Sequence, residues 1–229
     1  MILKSLAALF TLQTCYACEE NLTIQEHFVC FNCLGQIPAT HFHCKPTENE
    51  LYYRLAGKVP LAGAMSLFYF DKAGKLQRLI SQIKYKNALP LARYLGEYYG
   101  HVLQSEMQFP EDTVLLPVPL HWRKRYKRGY NQALVIAGGM GKALHLKVSP
   151  GVLKRKRFTT SQTRLSGAAR WENVASAFRL HGEPPRHVLL VDDVITTGAT
   201  LEACLRVLFA AERPPEQVWA LSLGMARKN

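Results

Sequence analysis

No run of about 18 consecutive apolar residues occurs anywhere in the 229 residues, so no helix here is built to span a bilayer. There is also no internal repeat and no low-complexity tract, which excludes collagen-like chains. Beyond Cys44 the only cysteine is Cys204, and a core of this size buries roughly 70% of the unfolded surface without needing a staple. Acidic residues are absent where their absence counts: residues 121–170 contain neither Asp nor Glu, against 13 Lys or Arg. The rest of the composition is ordinary, with 48% hydrophobic and 20% charged residues. Wholesale disorder and a polytopic membrane protein are thereby excluded.

The charge is therefore concentrated. The net charge is +12, from 29 Lys or Arg and 17 Asp or Glu. Residues 1–110 hold 10 basic and 8 acidic residues, and residues 111–229 hold 19 and 9. A block this one-sided attracts polyanions: nucleic acid, a membrane surface or a phosphorylated small molecule. A solvated basic face has the same composition.

Four of the six cysteines form two C-x-x-C pairs, Cys15 with Cys18 and Cys30 with Cys33. A two-residue gap turns both thiolates of a knuckle toward one ion, and two knuckles complete a tetrahedron, so one structural zinc per chain is expected. Disulfides are the competing reading, but they belong to secreted chains. Cys44 and Cys204 read as small hydrophobes, and His41 and His43 are not needed as ligands beside four thiolates. Residues 1–14 have the Lys and apolar run of a short signal peptide. Cleavage before Cys15 would spoil the metal pair, so a short helix is expected instead, with Ile2, Leu6, Leu9 and Phe10 at helical spacing. The compartment is then reducing, hence cytoplasmic.

Apolar spacing predicts helices over residues 48–55, 76–85, 91–103, 131–145 and 199–211, although Gly138, Gly139 and Gly141 weaken the fourth. Strands are predicted over 64–70, 114–118, 187–191 and 218–223, with another starting at Val152 and Leu153. The stretch 159–167 is polar and reads as a mobile flap; 170–178 is short and mixed. Strands alternating with helices argue for an α/β fold, a mostly parallel sheet flanked by helices.

The most informative stretch is 188–200, VLLVDDVITTGAT. Four aliphatic residues make a buried strand that ends in Asp192 and Asp193; a turn of small residues follows, and then a helix begins. At the carboxyl edge of a parallel sheet this is where a ligand binds. Backbone N–H groups, Thr hydroxyls and a helix N-terminus cradle a monoester phosphate, and Gly198 lets the backbone come close. The two carboxylates then face sugar hydroxyls. An Asp-capped helix would explain one acidic residue and one Thr, but not the whole run. Residues 116–120, LPVPL, form a second loop after a strand. Residues 123–132 follow with five Lys or Arg crowded around Tyr126 and Gly129, suited to pyrophosphate or to single-stranded nucleic acid held by charge and stacking.

The 188–200 run resembles the phosphoribosyl diphosphate (PRPP) signature of the type I phosphoribosyltransferases. Together with the two knuckles, Ile83-Lys84-Tyr85-Lys86, Pro117-Val-Pro-Leu, Arg128-Gly-Tyr-Asn-Gln132, Thr160-Ser-Gln-Thr, Arg170-x-x-Asn173 and Phe178, it is similar, in order and over nearly the whole chain, to the ComF (ComFC/GntX) family. The resemblance implies a zinc module over residues 1–46 and a type I phosphoribosyltransferase-like domain over 47–229. It implies that Asp192 and Asp193 bind ribose, and that Thr196, Thr197, Gly198, Ala199 and Thr200 bind the 5-phosphate. Pro117, Val118 and Pro119 would face pyrophosphate, with Arg128, Tyr130, Asn131 and Gln132 closing over it, Lys84 neutralising it and Gln162 in the flap. Magnesium would accompany PRPP. Arg123, Lys124, Arg125 and Lys127 would form a nucleic-acid or phosphate patch. Some members carry further cysteine pairs; here only Cys44 follows, so a single zinc is expected. The implied function is PRPP or ribose 5-phosphate binding, with phosphoribosyl transfer to an unnamed acceptor. It is tied to handling of single-stranded DNA in natural transformation, with competence or DNA-processing proteins as partners. A non-catalytic nucleotide sensor or nucleic-acid module on the same fold is the alternative.

Overall fold

A computed structural model of the chain describes residues 13–156 and 177–227. Five strands, β1 (Gly63–Phe70), β2 (Thr113–Pro117), β3 (Lys147–Val148), β6 (His187–Ile195) and β7 (Gln217–Ala226), lie in the order β1-β7-β6-β2-β3. Every pairing is parallel. Strands buried on both faces read as continuous aliphatic runs, and Val188, Leu189, Leu190 and Val191 are all fully buried. Two further strands, β4 (Leu153–Arg155) and β5 (Phe178–Leu180), form a separate antiparallel pair.

The main helices are α2 (Glu50–Ala56), α3 (Lys75–Tyr85), α4 (Leu89–Glu106), α6 (Gln132–Leu144) and α7 (Ala199–Phe209). Their ends agree with the sequence reading to within a few residues. Two short helices, α1 (Phe31–Gly35) and α5 (Trp122–Arg128), were not expected, nor was the two-residue β3. Helix α5 buries no residue, so it has no apolar period to read. The glycines of α6 do not break it, and Gly139 lies on its contact surface with α4. A Cβ on Gly139 would stand 2.2 Å from the Arg93 carbonyl, and one on Gly96 of α4 would stand 2.2 Å from the Ile136 carbonyl. The expected N-terminal helix, the flap over 159–167 with Gln162, and most of 170–178 lie outside the described residues.

The cysteine-rich segment is stitched to the free edge of β1. Tyr69 donates its N–H to Pro38, Thr40 to Leu67 and Ala64 to Pro46, at 2.8, 3.1 and 2.8 Å, and Ala39 bridges Phe68. Covering an edge in this way removes an open pairing surface. Cys15, Val29, Cys33 and Ile37 join the same apolar core as the sheet.

Chain direction fixes where the crevice falls. From β2 the chain moves outward through α6 to β3, and from β6 it moves the opposite way through α7 to β7. The strand order therefore reverses between β6 and β2, and ligands bind at the carboxyl ends of such a pair. Among the described residues no helix is long and apolar enough to cross a membrane.

Candidate functional site

The carboxyl ends of β2 and β6 are in register, Pro117 opposite Val191, and Val118 donates its N–H to the Val191 carbonyl at 2.8 Å. The loop that starts at Pro117 thus leaves the sheet beside Asp192. Strand β6 does not stop at Val191 as expected. It continues through Ile195, because β7 offers partners to the end: Asp192 faces Ser222, Val194 faces Gly224 and Ile195 faces Met225. The two carboxylates consequently lie within the strand rather than after it. Each accepts from the next residue's N–H, Asp193 to Asp192 at 2.8 Å and Val194 to Asp193 at 2.7 Å.

Lys84, at the last turn of α3, meets Asp193 at 2.9 Å. It joins the carboxylate pair. Burial pushes the Asp192 carboxyl up to about 7, and the charge of Asp193 adds to the shift, against the opposing pull of the Asp193 N–H and of Lys84. Among the described residues, Lys84 makes the ion pair with this pair of carboxylates, through Asp193.

Residues 194–201 and Asp192 line a cavity of about 40 Å³, room for a group of a few heavy atoms. Gly198 has φ 84° and opens α7, an eleven-residue helix. The first N–H groups of a helix have no intrahelical partner and favour an anion. Thr196 and Thr197 are exposed on the turn, and the Thr197 hydroxyl accepts from the Ala199 N–H at 3.4 Å.

The residues following α5 act as braces. The Tyr130 hydroxyl donates to the Ile83 carbonyl, and the Asn131 amide donates to the Val118 carbonyl at 3.0 Å. Gln132 is buried and accepts from Arg128 at 3.2 Å. They tie α3, the Pro117 loop and α6 together. Arg128 also lies over the Tyr85 ring, 5.7 Å from its centroid.

The ligand atoms of Cys15, Cys18, Cys30 and Cys33 lie within 4.8 Å of one another. None of the four is in a disulfide, so each offers its sulfur as a ligand. Cys18 and Cys30 sulfurs are 3.8 Å apart, and a ZnS₄ tetrahedron with 2.3 Å bonds has edges of roughly 3.8 Å. Backbone N–H groups of Ala17 and Cys30 point at the Cys15 sulfur, at 3.4 and 3.3 Å. Burial alone would raise the Cys15 thiol, but the N–H groups of Cys30, Cys18 and Ala17 outweigh it and hold it at about 7. Burial and its sulfur neighbours push Cys33 up to about 12. Four crowded sulfurs ionise together only around a cation, so the cluster is suited to a metal ion such as zinc. Cys204 is buried as expected; Cys44 is exposed.

No family model matches the chain. It is 30% identical over 225 residues to competence protein F of Haemophilus influenzae, covering 91% of this chain and 96% of that one. The chain belongs to the ComF family. DNA utilization protein YhgH of Escherichia coli K12 is 29% identical, covering 81% of this chain and 80% of its own. Competence protein ComFC of Bacillus subtilis is 23% identical, covering 88% and 81%. Among solved structures, adenine phosphoribosyltransferase of Leishmania donovani aligns with 12% identity over 78% of this chain and 81% of its own, at a TM-score of 0.35.

Two features of this ComF chain escaped the sequence reading. Arg155, at the end of β4, packs on the Phe178 ring at 5.0 Å, and its buried Nε has no hydrogen-bond partner among the described residues. Burial lowers its pKa, while Cys204 and Asp192 oppose that shift; the same guanidinium helps lower the pKa of His121, after burial. Arg155 thus bears on both loops of the crevice. In the sequence it was only one more member of the basic block. The other is the shape of an exposed part of that block. His121 caps α5, accepting from the Arg123 N–H at 3.3 Å, and Gly129 ends the helix at φ 78°. Arg123, Lys124, Arg125 and Lys127 project into solvent with Trp122 and Tyr126, the latter 91% exposed.

Proposed function

We propose that this ComF-family chain binds PRPP or a related ribose 5-phosphate ligand in the crevice between β2 and β6, and transfers its phosphoribosyl group to an acceptor. The observation that carries this reading is the convergence of the Asp192–Asp193 pair, the turn before α7 and the Pro117 loop at the point where the strand order reverses. Thr196, Thr197, Gly198, Ala199 and Thr200 would hold the 5-phosphate, through N–H groups and hydroxyls. Asp192 and Asp193 would accept from the ribose hydroxyls, with Lys84 keeping the pair from carrying two uncompensated charges. Pro117, Val118 and Pro119 would face the departing pyrophosphate.

The chemistry is loss of pyrophosphate from C1 as positive charge grows on the sugar. The protein's part is to hold the sugar, neutralise the leaving group and exclude water. Asp192 and Asp193, as hard oxygen donors, would be the residues to hold a magnesium ion, which would supply charge neutralisation for the leaving group. Zinc in the four-cysteine cluster would be structural, one ion per chain, within a module over residues 1–46 that precedes a transferase-like domain over 47–229. The setting for this activity is cytoplasmic handling of incoming single-stranded DNA with competence or DNA-processing proteins. That setting is supported by the family and by the names of the relatives, competence protein F and DNA utilization protein.

A second reading keeps the ligand site as a sensor on a single-stranded nucleic-acid-binding module. Helix α5 favours it, burying no residue and carrying Trp122 and Tyr126 among its basic residues. Pyrophosphate release from PRPP in the presence of candidate acceptors, with PRPP binding followed alongside, separates the two. The transferase reading expects acceptor-dependent release. PRPP bound without release for any acceptor supports the sensor.

A further inference from the structure

The phosphate-site turn is held from behind by a residue outside it. Helix α2, between the cysteine-rich segment and β1, sends Arg54 toward the carboxyl edge of the sheet. Its Nη1 donates to the Thr196 carbonyl at 2.6 Å and lies 3.5 Å from the Ala226 carbonyl at the end of β7. The side chain is only 7% exposed. Its Nη2 is 3.8 Å from a Glu50 carboxylate oxygen, and neither Nε nor Nη2 has a hydrogen-bond partner among the described residues. Buried donors are ordinarily satisfied, and a guanidinium carries five. Such an arrangement is costly, and strain of this kind gathers at functional sites.

The geometry gives the interaction a purpose. In a trans peptide the carbonyl and the following N–H point opposite ways, and no peptide among the described residues is cis. Pinning the Thr196 carbonyl to Arg54 therefore turns the Thr197 N–H to the other side of the turn. Thr197 lines the cavity, and Arg54 does not. The same helix backs the next residue: a Cβ on Gly198 would lie 3.1 Å from Leu55 Cδ2 and 3.8 Å from Arg54 Cδ. The helix itself is anchored by Asn49, whose amide donates to the Lys45 and Ala64 carbonyls at 2.8 and 2.9 Å.

We propose that Arg54 is a positioning residue for the phosphate-binding turn: it fixes the peptide between Thr196 and Thr197 so that the Thr197 N–H faces a phosphate monoester, and it sets a buried positive charge behind that N–H. This rests on the reading of the turn as a 5-phosphate site. The test is calorimetric titration of the full chain with ribose 5-phosphate and, separately, with pyrophosphate, both with magnesium, at a temperature where circular dichroism shows each variant folded. R54M and R54Q are expected to weaken ribose 5-phosphate binding roughly tenfold or more, the scale of a lost charge-assisted contact, and to leave pyrophosphate binding within about twofold. R54K, whose ammonium can still reach a carbonyl, should recover part of the loss. Two neutral variants guard against one failing to fold. Unchanged ribose 5-phosphate affinity in either folded neutral variant, or an equal fall for both ligands, would overturn the inference while the site reading stands. Failure of the wild-type chain to bind ribose 5-phosphate would overturn the site reading and this inference with it.

Discussion

Asp192 sits in an environment at odds with its charge. Its carboxyl, raised to about 7 by burial and then by Asp193, binds a proton more tightly in the folded chain than in the unfolded one. The resulting penalty is absent below about pH 4, grows as pH rises and is complete above about pH 7. Asp192→Asn should therefore raise the melting temperature of the ligand-free protein more at pH 8 than at pH 5. An equal change at both pH values, by differential scanning fluorimetry, would contradict the burial of that carboxyl. Asp192, Asp193 and Thr196 to Thr200 were legible in the sequence because one short segment carries all of their chemistry. Arg54 was not, because it reaches Thr196 across 142 positions. Arg155 was visible only as charge, since its partners Phe178 and Asp192 come from other strands.

At the scale of elements, the helices and strands with an apolar period were readable, and the exceptions have identifiable causes. The polar Asp-Asp pair looked like the end of β6, but pairing with β7 carries the strand to Ile195. Helix α5 looked like a charge run because it buries no residue; its basic last turn suits the negative end of a helix dipole. The glycines of α6 looked like weak points, yet two neighbours differ in kind. Gly139 is pressed against the Arg93 carbonyl, whereas a Cβ on Gly138 would meet nothing within 4 Å. Gly139→Ala should thus destabilise by roughly 1–3 kcal/mol or more through overpacking. Gly138→Ala should stabilise by about 0.5–1 kcal/mol through helix propensity. Urea denaturation of the pair checks this, and equal effects would mean that α4 and α6 do not meet through these glycines.

On the scale of the whole molecule, two regions of opposite need sit on one fold. The crevice brings two carboxylates to the carboxyl edge of the sheet, and the +12 net charge lies mostly in the second half of the chain. If α5 serves single-stranded nucleic acid, affinity for an oligonucleotide should fall steeply with salt. Neutralising Arg123, Lys124 and Arg125 should flatten that slope; binding that ignores salt, or is absent at low salt, would leave α5 a solvated face. The central claim is that residues 192–200 hold a ribose 5-phosphate group, and it is tested most directly by titrating PRPP with magnesium into the wild-type chain and into the D192N/D193N double variant by calorimetry, with the fold of each checked by circular dichroism. The account predicts saturable one-to-one binding to the wild type and its loss, roughly 100-fold or more from two charge-assisted contacts, in a double variant that remains folded. Equal affinity in the two proteins, or no binding to either, would contradict it.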